Sequence, residues 1–231
     1  MTAGLQIFND NKSLLLSSDT VPIVFQQKVV NKLTTNTSSK IPLSKNNDIL
    51  SVYYFDSGGD NSRMKEYGIF APFGAGNNFF ILPDKMTAAG ITVEEYQFKA
   101  SLKNTANHGL QLFDEAGREI YNSNNIPISI IDKVSINVSN SWAPKTVKTW
   151  SGFYPNKKVG FLFTNVPTGI TKSSSMAEIW AYDYRPYTDN TGMAILTYTP
   201  TVWSYSYSSA SIPIDYSLRL EFFIIDVSML S

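Results

Sequence analysis

The sequence predicts an all-β protein made of two related, antiparallel β-sandwich-like domains. Three observations lead there. The first is a self-echo: GLQIFNDNKSLLLSSDTVPI over residues 4–23 returns as GLQLFDEAGREIYNSNNIPI over 109–128. Gly, Leu, Gln and Phe recur in register, as do Ser18 with Ser123 and Pro22-Ile23 with Pro127-Ile128. The offset of about 105 residues is the length of a small domain rather than of a solenoid unit, so duplication is the simplest source. The second is residue usage, with Ser, Thr, Asn, Tyr, Val, Ile and Phe dominant and Gly and Pro spread as punctuation. The third is period-two alternation, as in Tyr96-Gln97-Phe98-Lys99-Ala100 and Tyr216-Ser217-Leu218-Arg219-Leu220, two segments that rhyme near the unit ends. The domains are therefore set at 1–105 and 106–231, the second being longer.

Each element follows from local pattern. Residues 5–8, a polar turn over 9–12 and residues 13–17 form a hairpin; 110–113, the turn Asp114-Glu115-Ala116-Gly117 and 118–122 repeat it with a clearer turn residue. Further strands are expected at 23–30, 51–55, 67–71, 79–82 and 96–102 in the first unit. In the second they are expected at 126–138, 159–163, 178–184, 193–198, 202–207 and 218–227. A short helix is expected at 84–96, with Asp84 as cap and Thr92 to Glu95 as a capping box. The polar stretches 31–47 and 57–63 are expected to be exposed loops. Gly68-Ile69-Phe70 against Gly160-Phe161-Leu162 is a further, gapped echo.

Composition narrows function. The formal net charge is +0 and no basic block exists, so phosphate-neutralising nucleic-acid binding is not expected. There are 0 cysteines, which removes disulfides, thiolate chemistry and sulfur-ligated zinc together. The opening lacks a basic segment followed by a long apolar core, and no apolar run nears the roughly 20 residues that span a bilayer. A soluble product made in the cytoplasm, without membrane insertion, is the expectation.

Catalysis finds little footing. His108 is the only histidine and abuts the second repeat, so a relay through it is disfavoured against a structural role. Asp56, Asp60, Asp183, Asp189 and the pair Glu94-Glu95 offer carboxylates, but no spacing sets two across a cleft. Gly74-Ala75-Gly76-Asn77-Asn78 lacks the following Lys-Ser/Thr of a phosphate loop and reads as a tight turn. Asp56-Ser57-Gly58-Gly59-Asp60-Asn61 lacks the closing glutamate of an EF-hand loop. Neither catalytic residue, metal nor cofactor is expected.

The aromatics carry more. All four tryptophans lie in the second unit, and the candidate contact residues are Trp142, Trp150, Tyr154, Trp180, Tyr182, Tyr184 and Trp203. Such rings serve first as core, next as anchors of a protein interface, and less often as a glycan-stacking platform.

The hairpin itself, Gly-Leu-Gln, Ile or Leu, Phe, a polar turn, then a strand ending in Ser, resembles the N-termini of small tail-tip and tail-fibre-associated proteins of long-tailed bacteriophages. The resemblance covers about 20 residues in each unit; the first copy departs from it with Asn11-Lys12 where a turn glycine is expected. It implies a virion structural role in the tail, and carries over no catalytic residue because the motif is a hairpin. The implied partners are other tail proteins, namely the hub, the central fibre or the end of the tail tube, together with further copies of the chain, for which a trimer is the natural guess. The rival expectation is a glycan- or receptor-binding module using the aromatic-rich second unit.

Overall fold

The computed structural model describes residues 6–8, 14–17, 22–32, 48–56, 67–70, 80–83, 92–100, 108–114, 116–137, 148–165, 168–172, 176–188, 193–206 and 219–230. Every regular element among them is a strand. In chain order these are β1 Gln6–Phe8, β2 Leu14–Ser17, β3 Val24–Lys32, β4 Ile49–Asp56, β5 Tyr67–Phe70, β6 Phe80–Pro83, β7 Thr92–Lys99 and β8 Gln111–Phe113. Then come β9 Glu119–Asn122, β10 Ile130–Asn137, β11 Lys148–Phe153, β12 Val159–Asn165, β13 Thr168–Lys172, β14 Met176–Thr188, β15 Met193–Ser206 and β16 Arg219–Asp226.

Both expected hairpins form, and they match in detail. In β1–β2, Gln6 faces Ser17, Ile7 faces Leu16, and after a register shift Phe8 faces Leu14. In β8–β9, Gln111 faces Asn122, Leu112 faces Tyr121, and after the same shift Phe113 faces Glu119. The second copy shows why Gly and Ser recur. Gly109 has φ 91°, and a Cβ on it would stand 2.4 Å from Ser123 Oγ. That hydroxyl instead accepts the Leu110 N–H at 3.0 Å and closes the base of the hairpin. At the tip, Asp114 Oδ1 accepts the N–H groups of Ala116 and Arg118 at 3.0 and 2.8 Å, and Gly117 takes φ 74°.

Two six-stranded sheets build the rest. The first runs β10-β16-β12-β4-β7-β3, antiparallel at every pairing. Matching β3, β7, β4 with β10, β16, β12 makes the order read the same from either edge. The registers match too: Phe25 faces Phe98 and Gln27 faces Gln97 around a bulge, while Ile130 faces Ile225 and Asp132 faces Ile224 around a bulge at the corresponding place. Beyond it Lys28 faces Tyr96 and Lys133 faces Phe223. Across the middle, Phe161 pairs with Tyr53, which sets Val52 opposite Leu162, its counterpart in the other half.

The two edges also meet. Phe25 N–H donates to the Ile126 carbonyl at 2.8 Å and Ile128 N–H to the Ile23 carbonyl at 2.9 Å, with a bridge between Val24 and Pro127. Flat, a six-stranded sheet would part its edge strands by about 24 Å, whereas two residues from Ile128 to Ile130 span at most ~7 Å. The sheet is therefore rolled, pinned at one seam by Ile23 and Ile128, which are themselves repeat counterparts. This is the arrangement that a two-fold axis through the Val52–Leu162 and Ile23–Ile128 pairs generates.

Inside the roll lies a cluster of Val52, Tyr96, Phe98, Leu162, Ile225, Val227 and Leu230, with Phe25, Leu50, Ile128 and Phe223 packed against it. It draws on both halves of the chain. Adjacent residues face the other way and are buried as well: Tyr53, Phe55, Val93, Phe161, Phe222 and Ile224 are all 0–1% exposed. That outer face meets the second sheet, β11-β15-β14-β5-β6 with β13 on β14; β14 packs against β4. Both large sheets thus take strands from either side of residue 105.

Several expectations shift. Residues 92–96 of the expected helix belong to β7, and 84–91 lie outside the described residues, as does most of 31–47 and all of 57–63. Pairing competes with local capping there: Thr92 to Glu95 are bound on both sides by β3 and β4, and the capping-box pattern yields to that ladder. Residues 193–198 and 202–206 are parts of one long strand, β15, while β11 and β13 lie outside the expected strands. The rhyme of Tyr96 with Tyr216 is also superseded, since the register matches Tyr96 with Phe223.

Candidate functional site

The predicted aromatics are distributed rather than gathered. Trp142 lies outside the described residues. Trp150, in β11, is partly buried and meets Phe222 edge-on at 5.4 Å and 81°. Its ring and that of Tyr154 converge over Gly152, where a Cβ would stand 2.6 Å from Trp150 and 2.8 Å from Tyr154. Tyr154 donates its hydroxyl to Asp132 Oδ2 at 2.9 Å; burial, then this carboxylate, pushes its pKa up to about 12. These two rings therefore fasten β11 onto the rolled sheet, one as core and one as a tether to β10. In β14, Trp180 pairs with Val202, Tyr182 with Pro200 and Tyr184 with Tyr198, while Trp203 in β15 faces Ile179. Tyr184 also faces Ile69 of β5, so it stands where the two halves join in the second sheet.

The remaining candidates separate. His108 is exposed, its carbonyl accepting from Asn124 Nδ2 at 2.7 Å. Asp56 ends β4 and Asp183 lies within β14; Asp60, Asp189, 57–61 and 74–78 lie outside the described residues. Glu94 and Glu95 are neighbours in β7 and so point to opposite faces.

Glu94 anchors one polar cluster. Lys158 Nζ reaches Glu94 Oε2 at 2.6 Å and lies 4.3 Å from the Tyr54 ring centre, while Tyr96 donates its hydroxyl to the same carboxylate. Burial by itself would raise the Glu94 pKa; the hydrogen bonds from Lys158 and Tyr96, and the charges of Lys158 and Lys28, outweigh it and hold the carboxyl below its ordinary value. The other half carries the counterpart: Lys133 Nζ stands 3.9 Å from Glu221 and 5.7 Å from the Phe223 ring centre. Lys28 and Lys133, like Glu94 and Glu221, occupy matched positions. The signal was present in sequence, because Lys28-Val29 and Lys133-Val134 extend the repeat at its own offset.

Glu95 anchors the second cluster, with Ser51 and Tyr53, which sequence reasoning missed. Ser51 Oγ donates to Glu95 Oε1 at 2.7 Å and Gln97 Nε2 to the same oxygen at 3.1 Å. The matched positions in the other half are Phe161, Phe163 and Phe222, three rings in mutual contact at 6.1, 5.8 and 5.7 Å. One half fills this place with an apolar trio and the other with serine, tyrosine and glutamate.

A third feature is exposed apolar surface. On the β8–β9 hairpin and the segment after it, Leu110 is 52%, Phe113 54%, Ile126 43% and Ile130 55% exposed. The hairpin beneath them is held by its own polar network, in which Asn122, fully buried, donates to Glu119 at 2.7 Å, as Gln111 does at 2.8 Å. Among the described residues no helix is long and apolar enough to cross a membrane. Comparison with protein-family models, with curated proteins and with solved structures gives no match.

Proposed function

We propose that this chain is a non-enzymatic structural component of a bacteriophage tail, and that its Gly-Leu-Gln hairpins dock neighbouring tail proteins at the tip or fibre. The observation that carries this reading is the hairpin itself. It occurs twice in one register with one irregularity, and the second copy leaves Leu110 and Phe113 each about half exposed above a polar, hydrogen-bonded base. Exposed large side chains on a preorganised scaffold are what an assembly contact requires. Duplication of an ancestral unit accounts for the matched registers and the shared bulges of the rolled sheet. It also bears on oligomers. A trimer of the chain would display six related units.

The test is incorporation. Leu110→Asp with Phe113→Asp should leave the far-ultraviolet circular dichroism and the melting midpoint nearly unchanged while removing the chain from purified virions. Normal incorporation of that variant, or absence of the wild-type chain from virions by mass spectrometry, would overturn the proposal. The glycan-binding alternative is favoured by Phe153 at the end of β11, a ring 61% exposed. Glycan-array binding abolished by Phe153→Ala with Tyr154→Ala, in a chain that still assembles, would select it.

A further inference from the structure

We propose that Glu95 and Tyr53 hold a single monovalent cation between the two large sheets. Glu95 is 6% and Tyr53 1% exposed. One carboxylate oxygen of Glu95 is saturated, taking Ser51 Oγ at 2.7 Å and Gln97 Nε2 at 3.1 Å. Gln97 is fixed in turn, its own Oε1 accepting from Gln27 Nε2 at 2.7 Å. The carboxylate is therefore preorganised, while its Oε2 accepts nothing among the described residues. The Tyr53 hydroxyl is buried and has no hydrogen-bond partner. It feels the Glu95 charge: burial first and that carboxylate second raise its pKa, with nearby Ser51 acting the other way.

The surroundings define the ligand. Phe55, Val93 and Phe161, each 0% exposed, share this face and keep the dielectric low. Lys99, on the same face of β7, turns to Asp48 at 3.9 Å, while Lys28 and Lys158 serve Glu94 on the other face. What remains is a set of oxygen acceptors carrying one negative charge, which matches a hard cation. Charge balance selects a monovalent ion, since a divalent one would leave a buried positive charge. The matched Phe161–Phe163–Phe222 trio is the apolar solution that the same fold accepts, so the polar trio has a role other than filling space.

The full chain should melt about 5–10 °C higher in sodium or potassium chloride than in choline chloride of equal ionic strength, with the cation near a hundredfold its Kd. Glu95→Gln and Tyr53→Phe should abolish that ion-specific difference. Broadening of the ²³Na resonance by the wild-type chain, reversed by excess potassium, reads the same site without any variant. Equal midpoints in all three salts with an unbroadened sodium line, or an ion-specific shift that persists in Glu95→Gln, would overturn the assignment.

Discussion

Gly160→Ala probes the seam between the halves. Gly160 lies in β12 beside β4, and a Cβ there would stand 2.5 Å from Val52 Cγ1, 3.3 Å from the Tyr53 carbonyl oxygen and 3.5 Å from Val227 Cγ1. Ordinary van der Waals contact begins near 3.4 Å, so the methyl overlaps Val52 by almost 1 Å. Val52 is 0% exposed and sits on the two-fold, opposite Leu162; it has nowhere to retreat without parting β4 from β12. Overpacking of this kind costs about 1–3 kcal/mol, and the entropy recovered by replacing a strand glycine offsets roughly 0.5–1 kcal/mol. The net loss is about 1–2 kcal/mol, a fall of roughly 2–8 °C for a chain of this size. Thermal and urea melts of Gly160→Ala, Val52→Ala and the double variant supply the assay. Val52→Ala removes the obstructing methyl, so adding Gly160→Ala to it should cost almost nothing, a coupling above about 0.5 kcal/mol. A neutral Gly160→Ala, or costs that simply add, would refute the packing of β12 on β4 argued above.

Gly109→Ala should destabilise by about 1–2 kcal/mol, because φ 91° is strained for alanine and the methyl meets Ser123 Oγ; faster amide exchange confined to 110–123 would localise the loss. Trp150→Ala, at a partly buried ring, should cost about 1–3 kcal/mol by emptying the contact with Phe222, whereas Tyr154→Phe removes only the hydroxyl bond to Asp132 and should cost under about 1 kcal/mol; urea melts separate the two. The Glu94 and Asp226 carboxyls are both held below their ordinary values, by Lys158 and Tyr96 in one case and by Lys157 at 2.6 Å and Ser228 in the other, although burial opposes each. Depressed folded pKa values add stability that is complete above the unfolded carboxylate pKa, about 4, and lost as pH falls through the folded value. Lys158→Ala should therefore lower the melting midpoint at pH 7 and lose that effect in strong acid; an unchanged difference at pH 2 would contradict the assignment. Titration of Tyr154, followed by absorbance near 295 nm, should shift toward ordinary tyrosine behaviour in Asp132→Asn.

The sequence by itself determined the elements whose causes are local. The Gly-Leu-Gln hairpins were legible because the glycine, the serine and the Asp114 turn act within about 15 residues of one another, and the strand-forming composition set the all-β class. The capping box at Thr92 misled because a local signal was overridden by partners more than 35 residues away, in β4 and β3. Tertiary structure decided everything that depends on pairing across the chain. It set β4 against β12, pinned Ile23 to Ile128, and so rolled one sheet from both halves. Only that register shows that Ser51, Tyr53 and Glu95 occupy the places of Phe161, Phe163 and Phe222, because those segments align at offsets that differ from the hairpin's and hold different residues at these three places. Period-two alternation reports that a strand has two faces; which strand lies beside it, and what those faces meet, is settled by long-range hydrogen bonding and burial.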